Sequence, residues 1–232
     1  MGNTYCIYYG WLIDDPGGRP SPDAKQIAAA KVPLLIAEFF TVQPRFRNMS
    51  PQVLALMKNA GTEVFAYVST RWGEADLDDV KKLTAERLAG GVDGIFFDEA
   101  PSSLNSTTRE YYKTLSKLVR DKGKSVILNP GVSRCDEKLM EFADRIMAEH
   151  EWRDLAVDSP WKSRYLDDRF MGVSSNVPDE HGRPPMGYDV DEARAIADSR
   201  EAWGRGVGWH TSTDLHVNLP EWFDAYIEEV NT

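Results

Sequence analysis

The stretch Gly94-Ile95-Phe96-Phe97-Asp98-Glu99 decides the fold. Three bulky apolar residues follow a glycine and run directly into two adjacent carboxylates. An apolar run of this kind, without polar alternation, predicts a strand buried on both faces, as in parallel sheets. The acids then stand at the carboxyl end of a core strand, where α/β folds bind ligands and carry out chemistry. Removing an ionised carboxylate from water is costly unless it is paired or used.

Outward from this strand, short apolar runs alternate with amphipathic helices. Strands are predicted at Tyr5–Tyr9, Leu34–Phe39, Val64–Val68, Gly94–Phe97, Ser125–Leu128, Arg145–Ala148, Phe170–Ser174 and Gly206–Trp209. Ser21-Pro22-Asp23 and Ser50-Pro51-Gln52 each combine a serine N-cap with proline at the first helical position. Asp76 opens a helix over Leu77–Leu88, and Asn105 or Ser106 opens one that runs to Lys122 and stops at Gly123. Further helices are predicted at Asp136–Phe142, Ser159–Leu166, Asp191–Trp203 and Leu219–Val230. Eight β–α units in 232 residues predict an α/β fold, a single (β/α)8 TIM barrel spanning residues 1–232. The alternative, a doubly wound open sheet, normally carries a glycine-rich phosphate loop, and none follows the first strand. Asn176–Tyr188, rich in proline and glycine, is expected to form a long loop after the seventh strand.

Composition narrows the function. The chain is 42% apolar and 11% aromatic, enough for one sizeable core. Its net charge of −10 argues against nucleic acid, whose phosphates need a basic footprint. No apolar run approaches the roughly 18 residues of a membrane span. Met1-Gly2-Asn3-Thr4 leads straight into a strand with no signal peptide, which leaves the compartment open. Cys6 and Cys135 form neither a disulfide framework nor a metal-binding cluster. The expectation is a monomer without a cofactor, and the acidic charge is compatible with a neutral or cationic substrate.

In a barrel the carboxyl ends of all strands face one pocket. Those ends supply Asp14 and Asp15, Glu38, Thr70 and Arg71, Asp98 and Glu99, Asn129, Glu149 and Glu151, Asn176, His210 and Asp214. The amino ends carry fewer such groups. Any one of these acids could cap a helix or pair with an arginine, but two in succession after an apolar strand are harder to explain that way. The period of two places Ile95, Phe97 and Glu99 on one face of strand four and Phe96 and Asp98 on the other. The same period puts Glu149 and Glu151 on one face of strand six with Met147. Acids on strands four and six face each other across the pocket, which is the arrangement glycoside hydrolysis requires. Their separation, and with it retention or inversion, stays open. A metal site lacks any HxH, HExxH or cysteine cluster to support it. Trp11, Trp72, Trp152, Trp161 and Trp209 fall at or just after predicted carboxyl ends, where flat rings suit sugar faces as well as ordinary packing. His210 by itself reads more readily as a satisfied rim histidine than as a base.

Three segments together resemble the spherulin 4-like glycoside hydrolases, relatives of the endo-α-1,4-polygalactosaminidases. They are Tyr67-Val68-Ser69-Thr70 with Gly73, then Val92-Asp93-Gly94-Ile95-Phe96-Phe97-Asp98-Glu99, then Asn129-Pro130-Gly131. Asp144 followed by an apolar run into Glu149, and the closing Thr211 to Leu219-Pro220 and Trp222, fit the same pattern. The resemblance covers about residues 60–225. It implies a (β/α)8 enzyme that cuts α-1,4-linked N-acetylgalactosamine in galactosamine-containing polysaccharides. It carries catalytic roles onto Asp98, Glu99 and Glu149, and a substrate-binding role onto Asn129. Glu38, Tyr67, Trp72, Glu151, Trp209, His210 and Asp14 complete the expected substrate-binding set. Ala37-Glu38-Phe39-Phe40-Thr41-Val42-Gln43-Pro44 departs from the family's Asn-Pro, glycine-rich turn at this groove-lining position.

The leading assignment makes Glu99 the general acid or nucleophile. Asp98 then orients it or stabilises charge, and Glu149, or Glu151 two residues on, is the opposing carboxylate. The alternative is a carbohydrate-binding barrel without catalysis, or a non-glycosidase enzyme on the same fold. Carboxylate spacing separates them: a facing pair within roughly 5–10 Å favours hydrolysis, whereas acids tied to Arg71, Arg134 or Arg153 favour binding.

Overall fold

The computed structural model describes residues 2–38, 41–43, 46–47, 50–175, 190–213, 216 and 218–231. Eight strands form one sheet in chain order: β1 (Cys6–Tyr8), β2 (Leu34–Ala37), β3 (Glu63–Ser69), β4 (Gly94–Asp98), β5 (Ser125–Leu128), β6 (Arg145–Met147), β7 (Phe170–Ser175) and β8 (Trp209–Thr213). Every neighbouring pair is parallel. The ring is drawn together through Asn3, which bridges Trp209. Its N–H donates to the Gly208 carbonyl at 2.7 Å, and its carbonyl accepts from the His210 N–H at 3.0 Å. The architecture is a nearly closed (β/α)8 barrel. A short antiparallel hairpin, Thr41–Gln43 with Phe46–Arg47, follows β2.

Local chemistry sets the helix ends. Ser21 and Ser50 cap α1 (Pro22–Ala29) and α2 (Pro51–Ala60), each hydroxyl accepting a backbone N–H at 3.1 Å. Asp76 caps α3 (Leu77–Ala89), and Asn105 forms a reciprocal capping box with Thr108 at the start of α4 (Ser106–Arg120). After β5 and β6 the outer layer thins to 3-10 turns and one short helix, α5 (Leu155–Asp158). The helices α6 (Glu192–Gly204) and α7 (Phe223–Asn231) complete the wall. No helix among the described residues is long and apolar enough to cross a membrane. The expected loop at 176–188 lies outside the described residues.

The two-residue period divides the core into two clusters. Tyr5, Ile7, Leu34, Ile36, Phe65, Phe96, Ile127, Met147, Met171, Val173 and Trp209 fill the barrel interior. Cys6, Tyr8, Leu35, Val64, Val68, Ile95, Phe97, Val126 and Leu128 face the helices. Phe96 therefore points inward and Ile95 and Phe97 outward, so the next inward position on β4 is Asp98. The face that the sequence associates with Glu99 is the helix-facing one.

β8 differs from its expected span, beginning at Trp209 where the predicted strand ends. The hydropathy signal stops at Trp209, yet His210-Thr211-Ser212-Thr213 continue the strand, all buried. Their polar atoms find partners inside the protein, among them Ser174 and Ser199 for His210. This satisfaction removes the cost that would exclude such residues from a core strand.

Gly94 opens β4 against the Phe65 ring and the Ser125 carbonyl. A Cβ there would lie 2.1 Å from the Phe65 ring and 2.5 Å from the Ser125 carbonyl oxygen, which as backbone cannot step aside. Gly94→Ala is expected to destabilise the protein by about 1–3 kcal/mol through overpacking, read as a lower urea midpoint with unchanged slope. A variant as stable as the parent would show that the barrel relaxes at this point.

Candidate active site

Above the apolar plug, the next inward positions on successive strands are polar. Phe96 is followed by Asp98 and Ile127 by Asn129, while Met147 leads to Glu149 through Ala148. Tyr9 and Tyr67 cap the interior cluster from β1 and β3. Their rings meet edge-on, with centroids 5.4 Å apart.

Asn129 joins the two acids. Its Nδ2 donates to Asp98 Oδ1 at 2.7 Å and to Glu149 Oε1 at 2.6 Å. The Gly131 N–H donates to Asn129 Oδ1 at 2.9 Å, which fixes the amide so that its two donors face the carboxylates. Gly131 has φ 72°, a left-handed conformation that glycine adopts without cost, and a Cβ there would sit 3.4 Å from Glu149 Oε2. Because both oxygens bind one nitrogen, they are at most about 5.3 Å apart, the sum of the two bonds.

Glu99 leaves the strand with φ 53° and Glu149 has φ 41°, both in the left-handed region. For residues other than glycine this costs of order 1–3 kcal/mol and is tolerated where the surroundings over-determine it. The turn at Glu99 sends its side chain toward β3, where the Ser69 hydroxyl donates to Glu99 Oε2. Both acids thus reach the mouth, Asp98 toward Glu149 and Glu99 toward Ser69.

Electrostatics follow from burial and proximity. Burial, then the charge of Glu149, push the Asp98 carboxyl up to about 6 against opposing hydrogen bonds from the Glu99 backbone, Asn129 and Tyr67. Burial raises Glu149 as well, opposed by Asn129. Two carboxylates this close resist joint ionisation, which acts in the same direction as burial. Among the described residues, no lysine or arginine forms an ion pair with Asp98, Glu99 or Glu149. Arg134 pairs with Asp158 at 3.3 Å, and Arg153 pairs with Asp198 and Glu201.

The remaining predicted residues fall in several places. Glu38 and Tyr67 line a cavity of about 480 Å³ with Ser69, Arg71, Asp79 and Arg87. Burial raises the Glu38 carboxyl, opposed by the Arg87 charge. Trp72 is 55% exposed and Trp11 49% exposed, so both rings are open to a ligand. Glu151 does not share a face with Glu149. The strand ends at Met147 and Glu149–Glu151 form a 3-10 turn, which breaks the period of two. Glu151 accepts instead from the Ser133 N–H at 2.8 Å and hydroxyl at 3.0 Å. Asp14 pairs with Arg19 at 2.8 Å in an exposed turn.

Two assignments are corrected. Trp209 opens β8 and so lies at the amino end of the barrel, 4.6 Å above the guanidinium of Arg145, the first residue of β6. His210 points outward, fully buried under α6, with Nδ1 2.9 Å from the Ser199 hydroxyl, Nε2 3.2 Å from the Ser174 hydroxyl and its ring against Trp152. Burial pushes it down to about 3, so it stays neutral. Trp152 and Trp161 are likewise held by Ser174 and the Cys135 carbonyl. Asn176 and Asp214 lie outside the described residues.

The structure adds residues that the sequence did not single out. Tyr9 continues the inward series Tyr5-Ile7 and stacks edge-on against His216 at 5.4 Å. The alternation of β1 could have revealed Tyr9; His216 comes from a loop and leaves no periodic trace. A groove of about 1020 Å³ between α1 and α7 lies outside the barrel, and none of these acids lines it. Among the described residues no cluster of histidine, cysteine or carboxylate groups is arranged to hold a metal.

Residues 41–230 match the family described as Spherulation-specific family 4 (Spherulin4). The chain belongs to this family. Among solved structures, Aspergillus clavatus Sph3 in complex with GalNAc has a TM-score of 0.67 at 14% identity, covering 100% of this chain and 98% of its own. A class V chitinase from Pseudomonas fluorescens has a TM-score of 0.65 at 11% identity and covers 100% of both chains. A Chromobacterium violaceum chitinase has a TM-score of 0.62 at 11% identity, covering 99% of this chain and 98% of its own. These likenesses show the fold. No curated protein matches the sequence.

The raised Asp98 carboxyl has a thermodynamic consequence. A group that ionises at about 6 in the folded protein and at its ordinary 3.8 when unfolded destabilises the fold as pH rises between those values. Asp98→Asn is therefore expected to match the parent at about pH 4 and to exceed it by about 1–3 kcal/mol at pH 7. Unfolding midpoints measured across that range check it, and a variant less stable at neutral pH would contradict the assigned burial cost.

Proposed function

We propose that this Spherulin4 member is a retaining glycoside hydrolase acting within α-1,4-linked polysaccharides that contain N-acetylgalactosamine or galactosamine. The observation that carries the proposal is the single amide, Asn129, hydrogen-bonded to both Asp98 and Glu149. Carboxyl groups about 5–5.5 Å apart accompany retention, whereas inverting enzymes keep about 6.5–9.5 Å for a water. The bond sum at Asn129 favours the shorter class. The substrate class rests on the sequence resemblance, on family membership, and on the GalNAc bound to the Aspergillus clavatus protein of the same fold.

Hydrogen bonds divide the roles. Asp98 accepts from Asn129, Tyr67 and the Glu99 backbone, all of which favour its ionised form. It is the nucleophile, attacking the anomeric carbon to form a glycosyl ester. Glu149, opposed in its burial by Asn129, holds the shared proton and delivers it to the departing glycosidic oxygen. It then takes a proton from the water that hydrolyses the ester. Glu99, anchored by Ser69, places further negative charge beside the oxocarbenium-like transition state. This reverses the order expected from sequence, where Glu99 leads and Asp98 supports it.

Purified α-1,4-galactosaminoglycan in a panel of glycans is expected to yield new reducing ends, and the first anomer seen by proton NMR keeps the substrate's configuration. Asp98→Asn and Glu149→Gln should each lower kcat by at least about 10²–10⁴-fold, with Glu151→Gln milder. Full activity in either of the first two variants removes the two-carboxylate mechanism. Formation of the inverted anomer would overturn the retaining assignment.

A second expectation concerns pH. The pair must carry one proton, so kcat/KM should be bell-shaped, with its alkaline limb above the free carboxyl value of about 4.3 because burial and mutual repulsion raise the pair. A profile flat from about pH 4 to 9, with chemistry rate-limiting, would exclude this pair as acid and nucleophile.

A further inference from the structure

Behind the acids lies a buried hydroxyl pair that no catalytic step uses. Thr70 is fully buried, and Tyr112 on α4 nearly so. The Thr70 hydroxyl donates toward the Asp98 carbonyl at 2.8 Å and the Glu99 carbonyl at 3.0 Å. It has one proton, and both carbonyls are pure acceptors. The 2.6 Å contact between the two hydroxyls is therefore a donation from Tyr112 to Thr70.

The surrounding backbone is bent in the same place. Glu99, Arg71 and Trp72 all have positive φ, at 53°, 47° and 56°, and Gly73 follows at 84°. The two turns are tied together, since the Trp72 N–H donates to the Glu99 carbonyl at 2.5 Å and the Thr70 N–H to the Asp98 carbonyl at 3.0 Å. Such conformations persist only where the surroundings hold them. The Thr70 hydroxyl grips both carbonyls that flank the bend at Glu99.

We infer that Thr70 and Tyr112 are positioning residues: they hold the backbone at Glu99 in its left-handed turn and so aim the Glu99 carboxylate into the mouth and its N–H at Asp98. Their catalytic meaning rests on the hydrolase proposal above. The turn also presents the Glu99 N–H to the Asp98 carboxylate, a bond that favours its ionised form. Asp98 is otherwise faced by Glu149 from the end of β6, Asn129 from β5, Tyr67 from β3 and Tyr9 from β1. Releasing the turn leaves those groups in place and removes the Glu99 N–H, so the Asp98 titration midpoint should rise.

The test uses Thr70→Val, which keeps the shape and removes the donor, Tyr112→Phe, and Thr70→Ser as the conservative rescue. Kinetics on the cleaved glycan are measured beside carbon-13 carboxyl titrations by NMR, with circular dichroism to verify folding. Thr70→Val is expected to lower kcat about 100-fold with KM nearly unchanged, and Tyr112→Phe to lower it about 10-fold, the scale of losses from sub-ångström to 1 Å misplacement. Thr70→Ser should recover most of the loss, and the Asp98 midpoint should move upward in Thr70→Val alone or with Tyr112→Phe. Unchanged kcat and midpoint in Thr70→Val, or a Thr70→Ser variant as impaired as Thr70→Val, overturns the inference. If Thr70→Val fails to fold, Tyr112→Phe decides by the same two readouts. If the parent cleaves no glycan, the hydrolase proposal fails, and the Asp98 midpoint alone still supports or refutes the positioning role.

Discussion

A parallel strand in a barrel offers its side chains two directions, into the ring or out to the helices, and the directions alternate residue by residue. The rest of this structure depends on that constraint. Phe65, Phe96, Ile127 and Met147 are buried together inside the ring. Each strand's next inward position then emerges at the carboxyl mouth. Asp98 and Asn129 stand there because Phe96 and Ile127 stand two residues below them. The candidate site is assembled by the same period that packs the core.

Convergence of acids on an apolar floor is electrostatically unfavourable, and the local structure is organised around that cost. Asp98 and Glu149 compete for one amide, whose orientation is set by the Gly131 N–H on its other side. Neither acid has an arginine or lysine ion-pair partner among the described residues, so only neutral donors oppose burial and mutual repulsion. A neutral donor organises the two groups without quenching them, which a salt bridge would do. The strained backbone at Glu99 and Glu149 belongs to the same arrangement, as departures from extended geometry are what bring side chains off two strand ends into one space. Stability is given up at the site, and the apolar interior supports it.

Much of the architecture was legible in the chain. Serine followed by proline at Ser21 and Ser50, and the caps at Asp76 and Asn105, mark helices where the structure has them, because capping is satisfied by neighbours within one turn. The strand at Gly94–Asp98 is visible because its burial on both faces leaves no polar position before the acids. β8 was less legible. His210, Ser212 and Thr213 look like the start of a loop until Ser174, Ser199 and α6 supply their partners, and those lie many residues away in the chain. That displacement carried Trp209 and His210 to the wrong end and the wrong face of the expected pocket.

By itself the sequence determined the number and order of the eight barrel strands, the family, and the presence of carboxylates after strands four and six. These are properties of local spacing, propensity and burial pattern. The helices expected at Asp136–Phe142 and Ser159–Leu166, by contrast, are 3-10 turns. The tertiary structure decided which of two adjacent acids faces inward, because that depends on which face of β4 meets the ring and which meets the helices. It also decided that Glu149 rather than Glu151 meets Asn129, because the chain leaves extended geometry after Met147 and the count of two no longer applies. Distances between groups on different strands depend on how the ring closes, and that closure is a property of all eight strands together.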